Sequence, residues 1–177
     1  MHNKVVFRAA KAAVLEGIPC LRFNFRGAGQ SQGKFDGGAG EREDARAALD
    51  YLATRFAAHV WMMGFSFGAT VGLEAGAEDS RVSALVGLGV PAATARFAAF
   101  LTCAKPKLII QGTEDQFGPR PSVQALFEAL PPPKRIHWVQ GADHFFTGHL
   151  EEVQETLQGF LKELANAPER TTADFGA

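Results

Sequence analysis

The sequence predicts an α/β protein in which a parallel β-sheet of about five strands is flanked by helices on both faces. Short apolar runs rich in β-branched and aromatic residues alternate along the chain with segments whose apolar residues repeat at helical spacing. The 177 residues are 46% hydrophobic, which suits one globular domain with its own core. The segment between Pro91 and Lys107 is too short for a lid domain, so none is expected.

Each element is predicted from its own pattern, and glycine or proline marks several of the ends. Helices are predicted over residues 4–17, 41–57, 67–78, 92–104, 121–130 and 150–164. Strands are predicted over residues 20–25, 59–65, 82–90, 107–111 and 135–139. Residues 1–166 are expected to form a single domain and residues 167–177 a loose polar tail. Because parallel strands deliver their following loops to one edge of the sheet, functional residues should lie directly after strands.

Composition excludes several classes of function. The 18 basic and 19 acidic residues give a net charge of -1, so we expect no nucleic-acid partner, which would need a basic surface. No run of about 18 apolar residues predicts a membrane span, and the first residues lack the apolar core of a signal peptide. We therefore expect no membrane partner and a cytoplasmic location. Cys20 and Cys103 are too few for a disulfide scaffold and lack metal-ligand spacing.

The segment Gly64-Phe65-Ser66-Phe67-Gly68 lies where an apolar strand turns into a helix. The Gly-x-Ser-x-Gly pattern in that place is typical of a nucleophile elbow, in which a sharp turn lifts the serine hydroxyl clear of the sheet edge. The alternative is a tight turn that merely exposes a serine. A serine hydroxyl is a weak nucleophile, so the functional interpretation requires a general base and an acid that orients it.

Candidates for both partners follow later strands. Asp115 comes directly after the strand at 107–111, and His144 follows the strand at 135–139. The order serine, aspartate, histidine along the chain is the order that this elbow requires. Glu114 stays an alternative to Asp115 as the acid, since a shift of one residue in the loop would put Glu114 in the position of Asp115.

The other polar residues favour structural roles. Asp143 is expected to be a turn residue or a helix cap, and His137 a hydrogen-bonded histidine on a strand. His149 is expected at the surface of the last helix, and its spacing from His144 does not place two metal ligands on one helical face. Surface positions are also expected for His59 and for the terminal His2. The glycine-rich loop at 27–33 lacks a phosphate-binding pattern and is expected to be a tight turn.

These residues together resemble the α/β-hydrolase superfamily, and more narrowly its small lidless bacterial members of the dienelactone-hydrolase-like kind. The matching stretches are the strand and loop at 21–33, the elbow at 64–68, the turn at 112–115 and the segment at 141–145. The resemblance implies a shortened α/β-hydrolase fold with Ser66 as nucleophile, Asp115 as acid and His144 as base. It also implies that the amide of Phe67 donates to the oxyanion. One of the phenylalanines beside the serine is expected to line an apolar acyl pocket, and Phe65 is the preferred candidate.

The sequence departs from the family in one respect. A strand and a loop that supplies a second oxyanion donor are expected ahead of the first helix, and the sequence opens at that helix. The strands at 20–25 and 60–65 should then either pair directly or stand apart across a gap, which would mean that a native piece is missing. Loss of one oxyanion donor typically costs about 10²–10³ in rate, so we expect weakened rather than abolished activity.

The resemblance implies a carboxylesterase-type serine hydrolase that cleaves small esters with short acyl chains through an acyl-enzyme. Thioester or lactone hydrolysis on the same triad stays an alternative, as does a weakly catalytic binding protein that lost part of its oxyanion hole. No cofactor and no metal are expected, because the triad needs none. The expected partner is a small-molecule ester, and an exposed sheet edge would also permit a homo-oligomer.

Overall fold

The structure is a computed structural model that describes residues 3–56 and 60–167. Within them, four parallel strands form one sheet in the order β1-β2-β3-β4. The strands are β1 (Val60–Phe65), β2 (Val82–Leu88), β3 (Lys107–Gly112) and β4 (Lys134–Val139). The helices are α1 (Lys4–Leu15), α2 (Ala39–Ala53), α3 (Phe67–Glu78), α4 (Arg120–Ala129) and α5 (Leu150–Asn166). The prediction of a parallel α/β fold is confirmed. His2, His59 and the predicted tail from residue 168 onward lie outside the described residues.

The sheet is covered on both faces, which explains the nearly continuous apolar runs of its strands. Successive side chains of a strand point to opposite faces. Val86 of β2 and Ile110 of β3 pack on one face with α1 and α5. Leu85 and Ile109 pack on the other face with α3 and α4. All four side chains are fully buried, so both layers anchor the middle of the sheet.

Two predicted elements are wrong. Residues 20–25 are not a strand, so the sheet has four strands in the described part of the chain rather than about five. A segment forms a strand only where a neighbouring strand pairs with its backbone. No described strand lies beside residues 20–25, and their apolar composition alone does not reveal this. The predicted helix at 92–104 is reduced to one 3-10 turn, Phe100–Thr102. This turn is the only helical element in the fully described connection between β2 and β3, which agrees with the absence of a lid.

A groove separates residues 20–25 from the sheet. Among the described strands β1 pairs with β2 alone, so its other side faces this groove. The groove has a volume of about 800 Å³ and is lined by α1, by the segment at 18–25 and by β1. Of the two arrangements expected for residues 20–25 and β1, the structure therefore shows separation rather than direct pairing.

The glycine-rich loop after residue 25 is tied to α2. Asp44 accepts hydrogen bonds from the backbone N–H of Arg26 at 2.8 Å and from its guanidinium at 2.8 Å. Those side-chain bonds hold the pKa of Asp44 below its usual range and raise the pKa of Arg26. Burial opposes ionisation of Glu41, but the N–H groups of Asp36 and Gly38 bind its carboxylate and lower its pKa. The loop is thus a turn, as its sequence predicted, and the structure shows in addition that it is anchored to α2.

Candidate active site

Ser66 occupies a sharp turn between β1 and α3. Its φ of 55° lies in the left-handed region, which a residue with a side chain rarely adopts. A β-carbon on Gly64 would lie 2.2 Å from the carbonyl oxygen of Gly68, so the strand and the helix pass one another with backbones nearly in contact. Hydrogen bonds on both sides hold the turn, from the Ser66 N–H to the carbonyl of Leu88 and from the Ala69 N–H to the carbonyl of Ser66. Such local strain is stored where the surrounding structure enforces it, often at functional sites.

The three side chains singled out in the sequence form one hydrogen-bonded series. Ser66 Oγ lies 2.8 Å from His144 Nε2. His144 Nδ1 lies 2.8 Å from Asp115 Oδ2. His144 and Asp115 are each only 3% exposed, whereas Ser66 is half-buried and reachable from outside. This arrangement can move a proton from the serine hydroxyl to the imidazole while the carboxylate stabilises the resulting imidazolium.

The loops after β3 and β4 place the acid and the base together. A β-carbon on Gly112 would lie 2.3 Å from the carbonyl oxygen of Ala142, so the two loops meet backbone to backbone. The N–H of Glu114 also donates to Ala142, and its side chain is exposed. Asp115, one residue later, is the carboxylate that reaches the imidazole. The alternative with Glu114 is therefore not the arrangement that the structure shows.

The amide of Phe67 lies next to the serine at the beginning of α3. The first N–H groups of a helix have no acceptor within it, and they carry the positive end of its dipole. An oxyanion formed at Ser66 would therefore meet a donor there. The ring of Phe67 packs against Phe25 and Phe35, with ring centroids 5.8 and 5.2 Å away.

Three phenylalanine rings surround the imidazole of His144. The ring centroids of Phe65, Phe117 and Phe145 lie 5.0, 4.7 and 5.2 Å from that of the imidazole. Phe117 is 48% exposed and Phe145 53% exposed, which is unusual for large apolar side chains. The sequence singled out Phe65 beside the serine but not Phe117 or Phe145. Their exposure makes the rim of the site apolar.

The remaining candidates lie apart from this series. His137 Nε2 is 2.8 Å from Glu152 Oε1 on the surface of β4, and His149 Nδ1 is 3.7 Å from the same carboxylate group. Asp143 accepts from the N–H groups of Phe145 and Thr147, and the bond from Thr147 lowers its pKa most. It is thus a turn residue. No group of three potential metal ligands occurs in the part of the chain that the structure describes.

Comparison with known proteins identifies the family. A family model described as an α/β hydrolase domain matches residues 1–173. The chain belongs to the α/β-hydrolase family. An uncharacterized protein of Rickettsia prowazekii is 36% identical over 171 residues, which span 91% of this chain and 72% of that protein. The resemblance inferred from the elbow and the loops is confirmed at the level of the family.

Solved structures share the fold of this α/β-hydrolase. An α/β serine hydrolase homologue from Coxiella burnetii is 39% identical with a TM-score of 0.85, over 91% of this chain and 77% of that chain. A lidless α/β serine hydrolase from Xanthomonas campestris is 35% identical with a TM-score of 0.86, over 95% and 77% of the two chains. These likenesses support hydrolase activity. No helix among the described residues of this α/β-hydrolase is long and apolar enough to cross a membrane.

Sequence reasoning missed one polar residue of the α/β-hydrolase site. Gln111 is fully buried near the end of β3, and its side-chain nitrogen donates to Asp115 Oδ2 at 2.7 Å. The signal was a glutamine that continues the buried apolar run Leu108-Ile109-Ile110. A buried amide must find hydrogen-bonding partners, so its presence in such a strand indicates a polar neighbour.

Proposed function

We propose that this protein is a serine hydrolase that cleaves small carboxylic esters with short acyl chains. The observation that carries the proposal is the hydrogen-bonded series from Ser66 through His144 to Asp115, with the serine half-buried at the elbow. The family and the serine hydrolases among its structural relatives support the same reaction class.

In the proposed reaction Ser66 Oγ attacks the ester carbonyl carbon while His144 Nε2 accepts the hydroxyl proton. The carbonyl oxygen becomes an oxyanion, to which the Phe67 N–H donates. The tetrahedral intermediate expels the alkoxide, which takes the proton from His144, and leaves an acyl group on Ser66. Water then attacks the acyl-enzyme with His144 again as the base, and the acid product and free Ser66 result. Asp115 keeps the imidazole in the tautomer that has its free electron pair on Nε2.

The preference for small esters rests on the surroundings of the serine. The connection between β2 and β3 carries no lid, and Phe117 and Phe145 are about half exposed beside the imidazole. An open apolar rim covers a short acyl or alkyl group without enclosing a long chain. We assign Phe65 to this binding surface, because its ring lies against both His144 and Phe145.

The test compares hydrolysis of p-nitrophenyl acetate, butyrate and decanoate by the wild type, Ser66→Ala and Ser80→Ala. Ser80 is an exposed serine ahead of β2, so its variant controls for the loss of a hydroxyl alone. We expect Ser66→Ala to lose at least about 10³-fold in kcat and Ser80→Ala to match the wild type. The acetate and butyrate esters should be cleaved faster than the decanoate.

A fluorophosphonate provides a second readout that does not depend on the choice of substrate. Mass spectrometry should find one adduct on Ser66 in the wild type and in Ser80→Ala, and none in Ser66→Ala. Unchanged turnover by Ser66→Ala, or labelling at another residue, would refute the proposal.

A further inference from the structure

Gln111 forms a buried polar contact between three segments at the reactive edge of the sheet. Its Nε2 donates to Asp115 Oδ2 at 2.7 Å and to the carbonyl oxygen of Gly118 at 3.1 Å. Its Oε1 accepts from the N–H of Val90 at 2.7 Å. The backbone N–H of Val90 can only donate, so the amide oxygen must face it and the two N–H bonds must face Asp115 and Gly118. The orientation of the amide is therefore determined by its partners.

The carboxylate of Asp115 is held by four donors. Oδ2 accepts from Gln111 Nε2 at 2.7 Å and from His144 Nδ1 at 2.8 Å. Oδ1 accepts from the N–H groups of Phe117 at 2.8 Å and Gly118 at 3.1 Å. Since the side chain of Asp115 is buried, its negative charge is stabilised by these donors rather than by water. Gln111 is the only side-chain donor to this carboxylate besides His144 among the described residues.

We infer that Gln111 is a positioning residue for the acid of this site. Its side-chain N–H donates to Asp115 Oδ2, the oxygen that also accepts from His144 Nδ1, and so keeps that oxygen directed at the imidazole. This inference rests on the proposed function, because the position of the carboxylate affects rate only if His144 acts as the base. Through Val90, Gln111 also ties the segment that follows β2 to the loop that carries Asp115.

A purely structural role for Gln111 makes different predictions. If the amide only fills the core and closes the turn at 112–118, its loss should lower stability and leave the chemistry of the folded enzyme unchanged. If it positions Asp115, its loss should lower kcat with little change in KM for a small ester. It should also change the pH at which activity falls on the acidic side, because that limb reports protonation of the base.

The test uses two variants with different chemistry. Gln111→Met removes the amide at similar length, and we expect kcat to fall about 10- to 100-fold, the range for a lost hydrogen bond to a charged group. Gln111→Glu keeps the shape and can still accept from Val90, but it adds a second carboxyl group next to Asp115. Two buried carboxyl groups this close cannot both ionise, so they share one proton, which the introduced group can donate to Asp115 Oδ2 in place of the amide. The kcat of Gln111→Glu should therefore lie above that of Gln111→Met, and this advantage should be lost at the higher pH where the shared proton leaves. If Gln111→Met does not fold, Gln111→Asn replaces it, because an amide one methylene shorter cannot reach Asp115 and Val90 together.

Val123→Ala is the matched stability control. Val123 is fully buried in α4 and belongs to the cluster on the face opposite α1 and α5. Truncating it should lower the unfolding midpoint while leaving kcat and the acidic limb as in the wild type. Wild-type kcat and an unmoved acidic limb in folded Gln111→Met would overturn the inference, as would an equal loss of kcat in Val123→Ala.

A proton NMR measurement separates this inference from the proposed function. The proton between His144 and Asp115 should give a low-field resonance in the wild type. We expect Gln111→Met to shift or broaden it and Val123→Ala to leave it in place. If the wild type neither hydrolyses esters nor reacts with the fluorophosphonate, the proposed function fails, and the NMR result still decides whether Gln111 positions the carboxylate.

Discussion

Gly64→Ala tests whether the close approach of β1 and α3 keeps Ser66 in place. The added β-carbon would lie 2.2 Å from the carbonyl oxygen of Gly68 and 2.7 Å from the Cα of Ala69. Both neighbours are backbone atoms, so neither can turn away. Since ordinary van der Waals contact begins at 3.4 Å, strand and helix must separate by roughly 1 Å. Ser66 lies at their junction and would move relative to His144.

The expected loss follows from that displacement. A misplacement of about 1 Å in a reacting group costs on the order of 100-fold in rate. Overpacking of this kind destabilises the fold by about 1–3 kcal/mol, so a folded variant should be recoverable. We therefore expect kcat for p-nitrophenyl acetate to fall about 100-fold while urea denaturation still shows a cooperative transition.

Gly72→Ala provides the matched control in α3, the helix that Gly64 of β1 approaches. Its β-carbon would lie 3.5 Å from the Cγ and Sδ of Met62, which is ordinary contact with a flexible side chain. Replacing a helical glycine by alanine favours the helix by up to about 1 kcal/mol. Gly72→Ala should therefore keep the wild-type kcat. A folded Gly64→Ala with undiminished kcat would refute the reasoning, and so would an equal loss in Gly72→Ala.

Two further predictions concern the acid and the loop. Asp115→Asn should lower kcat by about 10⁴-fold, because an amide favours the wrong imidazole tautomer, whereas Glu114→Gln should retain the wild-type rate in the same ester assay. Equal rates for the two variants would contradict the assignment. Because Arg26 holds the pKa of Asp44 below its usual value of about 3.9, their interaction stabilises the fold fully above that value and is lost as the pH falls through the lowered pKa. Urea unfolding between pH 7 and 3 should therefore show a smaller loss at acidic pH in Arg26→Gln than in the wild type, and identical pH dependences would contradict this.

The positions of Ser66, Asp115 and His144 could be predicted because each follows a strand. In a parallel sheet the loops after the strands meet at one edge, so residues far apart in sequence come together without any further information. The structure brings the three side chains into hydrogen-bonding distance, while their roles in catalysis stay a prediction. The choice between Glu114 and Asp115 depended on the loop conformation, which the close approach of Gly112 to Ala142 determines.

Residues 20–25 show where local pattern is insufficient. Their aromatic and apolar composition fits a strand, yet strand pairing depends on a neighbour that the segment itself does not encode. The same limit applies to residues 92–104, where an alanine-rich composition favours a helix but the structure keeps only a 3-10 turn. In both cases tertiary context overrides propensity.

The surroundings hold Asp115 more firmly than Ser66, the other end of the hydrogen-bonded series. Asp115 is buried, and two side chains and two backbone N–H groups donate to its carboxylate, so the carboxylate has little room to rotate or move. Ser66 is half-buried, and the phenylalanines nearest the imidazole on the outer side are about half exposed. Changes around Asp115 should therefore act mainly on kcat, because they disturb the orientation of the base in every substrate complex. Phe117 and Phe145 form an exposed apolar rim beside the imidazole, so their substitution should instead alter the relative KM values of different esters.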